Sequence, residues 1–134
     1  MQAMPRQGEL LALSREHHGA LLLARDAMRV PAAASRAELA AMNRRIADYW
    51  KETMAAHFRH EESLLLRHPG AVPAALAMRL LDEHRQLAAM SVRAAGSALE
   101  ASSVRDYGRR LAAHVRFEER ECFDALQAAE SAPG

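Results

Sequence analysis

Two pairs of residues, His57 with Glu61 and His114 with Glu118, stand four positions apart within apolar stretches of this chain. No other histidine is followed by an acid at that spacing. In a helix the members of such a pair lie within roughly 40° of each other on one face, and Leu64 joins the first pair there. Glu62 falls about 140° away and is expected to face water. A carboxylate aimed at a core is costly unless it is paired or holds a metal. Any fold of this chain therefore has to bring two interior acids to partners.

The punctuation of the sequence predicts four long helices. Leu10, Leu13, His17, Leu21, Ala24 and Met28 recur at helical spacing until VPAAAS at 30–35 ends the first. Ser35 with Glu38 forms a capping-box pattern, and the second helix runs from there to about Arg67, where HPGAVP breaks it. Pro73 suits the start of a third, reaching to about Leu99. Ser102 or Ser103, with Asp106 in the first turn, is expected to cap a fourth that carries Leu111, His114, Phe117, Glu118 and Cys122. The predicted fold class is all-α, an up-down-up-down four-helix bundle formed by a single domain over residues 1–134, with no linker dividing it. Few aromatics and glycines amid abundant Ala and Leu agree with helices rather than a sheet.

Each helix then offers one inward imidazole. His17 belongs to the apolar stripe of the first helix, whereas the stripe through His18 includes Ser14, Arg15 and Arg25. On the third, His84 shares its face with Leu80, Leu81, Leu87 and Ala88. A surface His–Glu pair stabilises by only a few tenths of a kcal/mol. Four imidazoles and two carboxylates in a core of Leu and Ala are another matter, because each must be satisfied there. Metal coordination satisfies them together. Imidazole with carboxylate and no thiolate suits iron, manganese or zinc. Two ions bridged by Glu61 and Glu118, each with two histidines and a shared solvent oxygen, keep positions open for a small ligand.

Other classes fit less well. The single cysteine, Cys122, excludes an internal disulfide and a cysteine-based zinc site, and reads as core filler. The net charge of +1 is spread along the chain without a patch to follow a phosphate backbone, so nucleic acid is not expected as a partner. No apolar run approaches the ~20 residues of a membrane span, and MQAMPRQGE lacks the apolar core of a secretory signal. The expected location is cytoplasmic, away from membranes; the sequence fixes no oligomeric state and is compatible with a homodimer. A ferritin-like oxidase uses Glu-x-x-His pairs, and none occurs here.

REHHGAL at 15–21, HFRHEESLLL at 57–66, DEHRQL at 82–87 and HVRFEERECF at 114–123 look like the four signature segments of the hemerythrin-like HHE cation-binding family. The resemblance covers all four helices. It implies a bundle with a non-haem di-iron centre, ligated by His17 or His18, His57, Glu61, His84, His114 and Glu118, with the two Glu as bridges. The oxygen-carrying hemerythrins have a further histidine where this chain has Ala88, and their last carboxylate is an Asp one residue along. The chain is closer to the four-His, two-Glu pattern of HHE proteins tied to oxygen or iron sensing and iron-centre repair. The expected cofactor is two iron ions with a bridging oxo or hydroxo. The expected partner is oxygen or another small diatomic or a peroxide, in sensing or redox defence. The alternative is an iron store, donor or repair protein. His60 is assigned to the surroundings of the centre, to the helix surface, or to the role of a fifth nitrogen; His68, in the loop, to solvent. Tyr49, Trp50 and Tyr107 are read as core or rim residues.

Overall fold

A computed structural model describes residues 5–133, so the single-domain assignment and the reading of MQAMPRQGE extend onto Met1–Met4 and Gly134, outside the described residues. The helices are α1 (Gly8–Met28), α2 (Arg36–Tyr49), α3 (Ala55–Arg67), α4 (Ala74–Ala95), α5 (Ala101–Phe117) and α6 (Phe123–Ser131). A π-helical turn, Trp50–Met54, joins α2 to α3, and a second, Glu118–Cys122, joins α5 to α6. The chain is thus all-helical, with four rods forming a four-helix bundle. Side-chain bonds fix their directions. Asp26 meets Arg45 at one end of α1 and Glu9 meets Arg67 at the other, so the first two rods are antiparallel. Asn43 with Leu99 and Glu62 with His84 do the same for the second and third. Gln86 with Arg110 and Glu83 with His114 fix the third and fourth. The fourth returns beside the first: the Gln7 backbone N–H donates to Gln127 at one end, and Gly108 lies against Ala24 further along.

Local chemistry explains most of the boundaries. The Ser35 hydroxyl accepts from the Glu38 N–H at 3.1 Å, satisfying one free donor of the first turn. Pro73 directly precedes α4. Two boundaries depart from the expected ones. α4 stops at Ala95 rather than near Leu99, because Ser97 turns into the left-handed region and Asn43 takes both the N–H and the carbonyl of Leu99. α5 begins at Ala101 after an extended Glu100, which puts Ser102 and Ser103 inside its first turn, where neither caps it. The second and fourth rods are also interrupted, each by the extra residue of a π-helical turn, a device often found at functional sites.

On α1 the buried stripe is Leu10, Leu13, His17, Ala20, Leu23, Ala24 and Ala27. Leu21 and Met28 instead lie at its exposed margin, because Leu10, Leu13, His17, Ala20, Ala24 and Ala27 keep the repeat of seven of closely packed rods, whereas the expected stripe drifts with the 3.6-residue period. α1 and α5 touch backbone to backbone: a Cβ on Gly108 would sit 2.7 Å from the Ala24 carbonyl oxygen. The core divides in two. One cluster includes Leu23, Ile46, Leu87, Tyr107 and Leu111, and the other Leu13, Leu64, Leu80, Phe117 and Phe123. Along every rod the boundary between them falls at the level of the inward histidines.

Candidate metal centre

At that level the structure gathers His17 from α1, His57 and Glu61 from α3, His84 from α4, His114 from α5 and Glu118 from the π-helical turn after it. Both carboxylates are fully buried and none of these four histidines is more than 6% exposed. The six residues form two overlapping groups whose ligand atoms lie within 4.8 Å of one another: His17, His57, Glu61 and Glu118, then Glu61, His84, His114 and Glu118. Glu61 and Glu118 belong to both. Glu61 reaches His57 Nε2 with Oε2 and His84 Nε2 with Oε1, each at 3.0 Å. Glu118 lies 3.0 Å from His17 Nε2 and 3.2 Å from His114 Nε2 through Oε1, and 3.4 Å from His84 Nε2 through Oε2.

Two observations show that this set fits a cation. Glu61 Oε1 and His114 Nε2 are buried without a hydrogen-bond partner, although His84 and Glu118 are near them, so those lone pairs aim into the shared space. His17 Nε2 and His57 Nε2 face each other at 3.2 Å, which leaves two acceptors opposed when both rings carry their proton on Nδ1. The same set attracts protons. Burial alone would lower the His17 pKa, but Glu118, Glu119 and Glu61 outweigh it and push it up to about 11. Burial is likewise overcome at His84, raised to about 10 by Glu118 and Glu61, and at His114, raised to about 9 by Glu118, Glu83 and Glu61. His57 is raised as well, burial again being outweighed by Glu61. Burial works against the charged form of Glu118, yet His114, His17 and His84 hold its carboxyl well below the usual range. A site with this demand for positive charge suits a metal ion that displaces those protons.

An outer ring of acids orients the imidazoles. His57 Nδ1 meets Glu16 at 3.0 Å, His84 Nδ1 meets Glu62 at 2.8 Å, His114 Nδ1 meets Glu83 at 2.7 Å and His17 Nδ1 meets Glu119 at 2.9 Å. With the proton on Nδ1 donated to the acid, Nε2 is left as an inward lone pair, the arrangement that metal-binding histidines commonly adopt. Glu119 also accepts from Ser14 and Arg6, which together with His17 overcome its partial burial and bring its carboxyl down to about 2. A profile described as Hemerythrin HHE cation binding domain matches residues 9–126, a span that includes both rings of side chains. The chain belongs to that family. No curated protein and no solved structure matches it.

Within this HHE domain the six inward positions expected from the sequence are the six that converge. His17, rather than His18, joins the cluster; His18 is exposed. His60 supplies no fifth nitrogen: its Nε2 pairs with Glu9 at 2.7 Å on the bundle surface. His68 is not simply solvated, since it is mostly covered and hydrogen-bonded to Glu130. Tyr107 is buried in the core, and Tyr49 and Trp50 are partly buried at its edge. Glu62 corrects the expectation of a purely water-facing acid, because its half-exposed carboxylate holds His84. The outer acids went unrecognised in the sequence, although a signal was present: each adjoins an inner residue, as Glu16–His17, Glu61–Glu62, Glu83–His84 and Glu118–Glu119. Beside the centre lies a cavity of about 10 Å³, bordered by His17, His57, His114 and Glu118 and, on its other side, by Tyr49, Met54 and Phe58. That is space for the centre of one water-sized molecule.

Proposed function

We propose that this HHE domain holds two iron ions, bridged by Glu61 and Glu118, and uses them to bind or react with oxygen, another small diatomic or a peroxide in sensing or redox defence. The observation that carries the reading is the pair of four-residue groups sharing two carboxylates, set beside a cavity of small-molecule size. His17 and His57 would hold one ion, His84 and His114 the other. Bound iron supplies reversible electron transfer and open coordination positions for a small ligand. The chain's own residues do the rest. Glu16, Glu62, Glu83 and Glu119 keep the imidazoles turned inward. Phe58, stacked on His84 with ring centroids 3.7 Å apart, and Phe123, stacked on His17 at 5.1 Å, exclude water from two of the ligands.

Only four histidines face the centre, and Ala88 stands where a fifth is found in oxygen carriers. Four histidines and two shared carboxylates would leave a bound pair of ions room for a small ligand to react, so sensing or redox chemistry is preferred to carriage. An iron donor, for which the centre is cargo, has less support because every proposed ligand is almost wholly buried. The deciding experiment begins with metal analysis and an optical spectrum of aerobically purified protein, and then mixes the di-ferrous form with oxygen. Autoxidation to a stable ferric spectrum is expected. Full return to the di-ferrous spectrum on oxygen removal, over repeated cycles, identifies a carrier instead; rapid loss of iron to a competing chelator identifies a donor.

A further inference from the structure

We propose that Tyr49 is the gate through which small molecules reach the centre. Its ring borders two spaces at once. Inside is the cavity next to His17, His57, His114 and Glu118; outside is an open cleft of about 330 Å³ walled in part by Gly19, Arg44, Asp48 and Glu52. Tyr49 is the residue common to both, so its side chain stands between the outer cleft and the interior space.

The other walls of the cavity are harder to move. Met54 and Phe58 are almost wholly buried, and Phe58 lies nearly parallel to the His84 ring, at 6°. Phe58 also borders an outer cleft, with Trp50 and Arg59, but displacing it breaks the stack on His84 and the edge contact with Trp50. Tyr49 is only partly buried. Its hydroxyl donates one solvent-accessible hydrogen bond, to the Glu16 carbonyl oxygen at 3.2 Å. The hydroxyl of this latch lies over Gly19, where a Cβ would come only into ordinary contact with it, at 3.4 Å. Tyr49 also ends α2 at the junction with the π-helical turn Trp50–Met54, a point where helix geometry already departs from the regular ladder. Swinging this ring outward therefore costs one exposed hydrogen bond and the ring's contact at the edge of the core, and leaves the packed side of the cavity in place.

A gate changes the barrier to entry and exit and leaves the free and bound end states alone. The proposal rests on the functional reading that small molecules reach the centre, and one experiment separates the two. Ferric-loaded protein is mixed with azide, a small linear anion, and association and dissociation are followed by stopped-flow absorbance for the unmodified chain, Tyr49→Ala and Tyr49→Phe. Tyr49→Ala should speed association and dissociation together, by about tenfold or more, with Kd within about twofold. Tyr49→Phe, which keeps the ring and its packing, should give a smaller rise in both rates through loss of the latch alone. A rise confined to the alanine variant still supports the ring as gate and removes the latch from it. Rates unchanged in both variants, or a Kd that shifts while association does not, overturn the gate. Failure of the unmodified ferric protein to form any azide complex overturns the functional reading and the gate with it.

Discussion

This HHE domain gathers histidine and glutamate in two places, and the two clusters behave differently. At mid-bundle, four imidazoles and two carboxylates converge with almost no exposure. Where α1 begins and where α3 and α6 end, His60, His68, Glu9 and Glu130 form a second cluster with Arg67 between them. There Glu9 is 37% exposed and Arg67 47%. Arg67 bonds directly to Glu9 and, with help from Glu130 and His60, brings its carboxyl down to about 2. This cluster contributes no group of convergent metal ligands among the described residues. The lesson is that residue type does not make the centre. Helix face does, because burial leaves lone pairs with no water to turn to, whereas the partly exposed cluster satisfies itself with an arginine and solvent.

The largest break in this contrast should come from Glu118→Ala. Because Glu118 belongs to both groups, the two ions per chain proposed above should fall toward one or none by elemental analysis. Two ions retained would remove its bridging role. Next in size is Glu83→Gln, which leaves every inner residue in place and weakens the hold on His114. Metal affinity should drop by about 10- to 100-fold with stoichiometry unchanged, as competition with a chelator of known strength can measure.

The pH dependence sharpens the contrast further. His17, His84 and His114 have folded-state pKa values raised to about 11, 10 and 9. In metal-free protein their stabilising contribution is fully present below about 6.5, the unfolded value, and is lost as pH rises through 9 to 11. Melting temperature of the metal-free form should therefore fall over that range. Metal affinity should move the opposite way, rising with pH as protons stop competing for the same nitrogens. A metal-free melting temperature that climbs between pH 7 and 10 contradicts the arrangement. Smallest of all should be Glu9→Gln in the exposed cluster. Metal content and affinity should stay unchanged, and the melting temperature should move by no more than about 2 °C.

Much of this was legible in the sequence because it rests on local periodicity. The two His-x-x-x-Glu pairs and the apolar stripes through His17 and His84 each specify a helix face, and faces determine what meets at the axis of a bundle. Ser35 and Pro73 announced their boundaries through chemistry confined to one turn. The end of α4 did not, because Asn43 reaches across the bundle to hold Leu99, a contact 56 residues apart in the chain. The π-helical turns were hidden too, since nothing in WKETM or EEREC breaks the apolar pattern that a continuous helix would show. The acid ring was missed because its members point sideways, toward neighbouring helices rather than toward the axis, and inward–outward periodicity has no term for that direction.

That ring also carries information about handedness. Its links run from Glu16 on the first rod to His57 on the second, from Glu62 to His84 on the third, from Glu83 to His114 on the fourth, and from Glu119 back to His17. In the first and third rods the acid precedes its inner neighbour, and in the second and fourth it follows. One step along a helix turns by about 100°, and a step backward along an ascending rod turns the same way as a step forward along a descending one. All four acids are therefore offset in one rotational sense around the axis, each reaching the next rod and none the previous. The alternation of acid-before with acid-after thus encodes the alternation of chain direction, so a bundle with one rod reversed would turn that rod's acid away from the histidine it now holds.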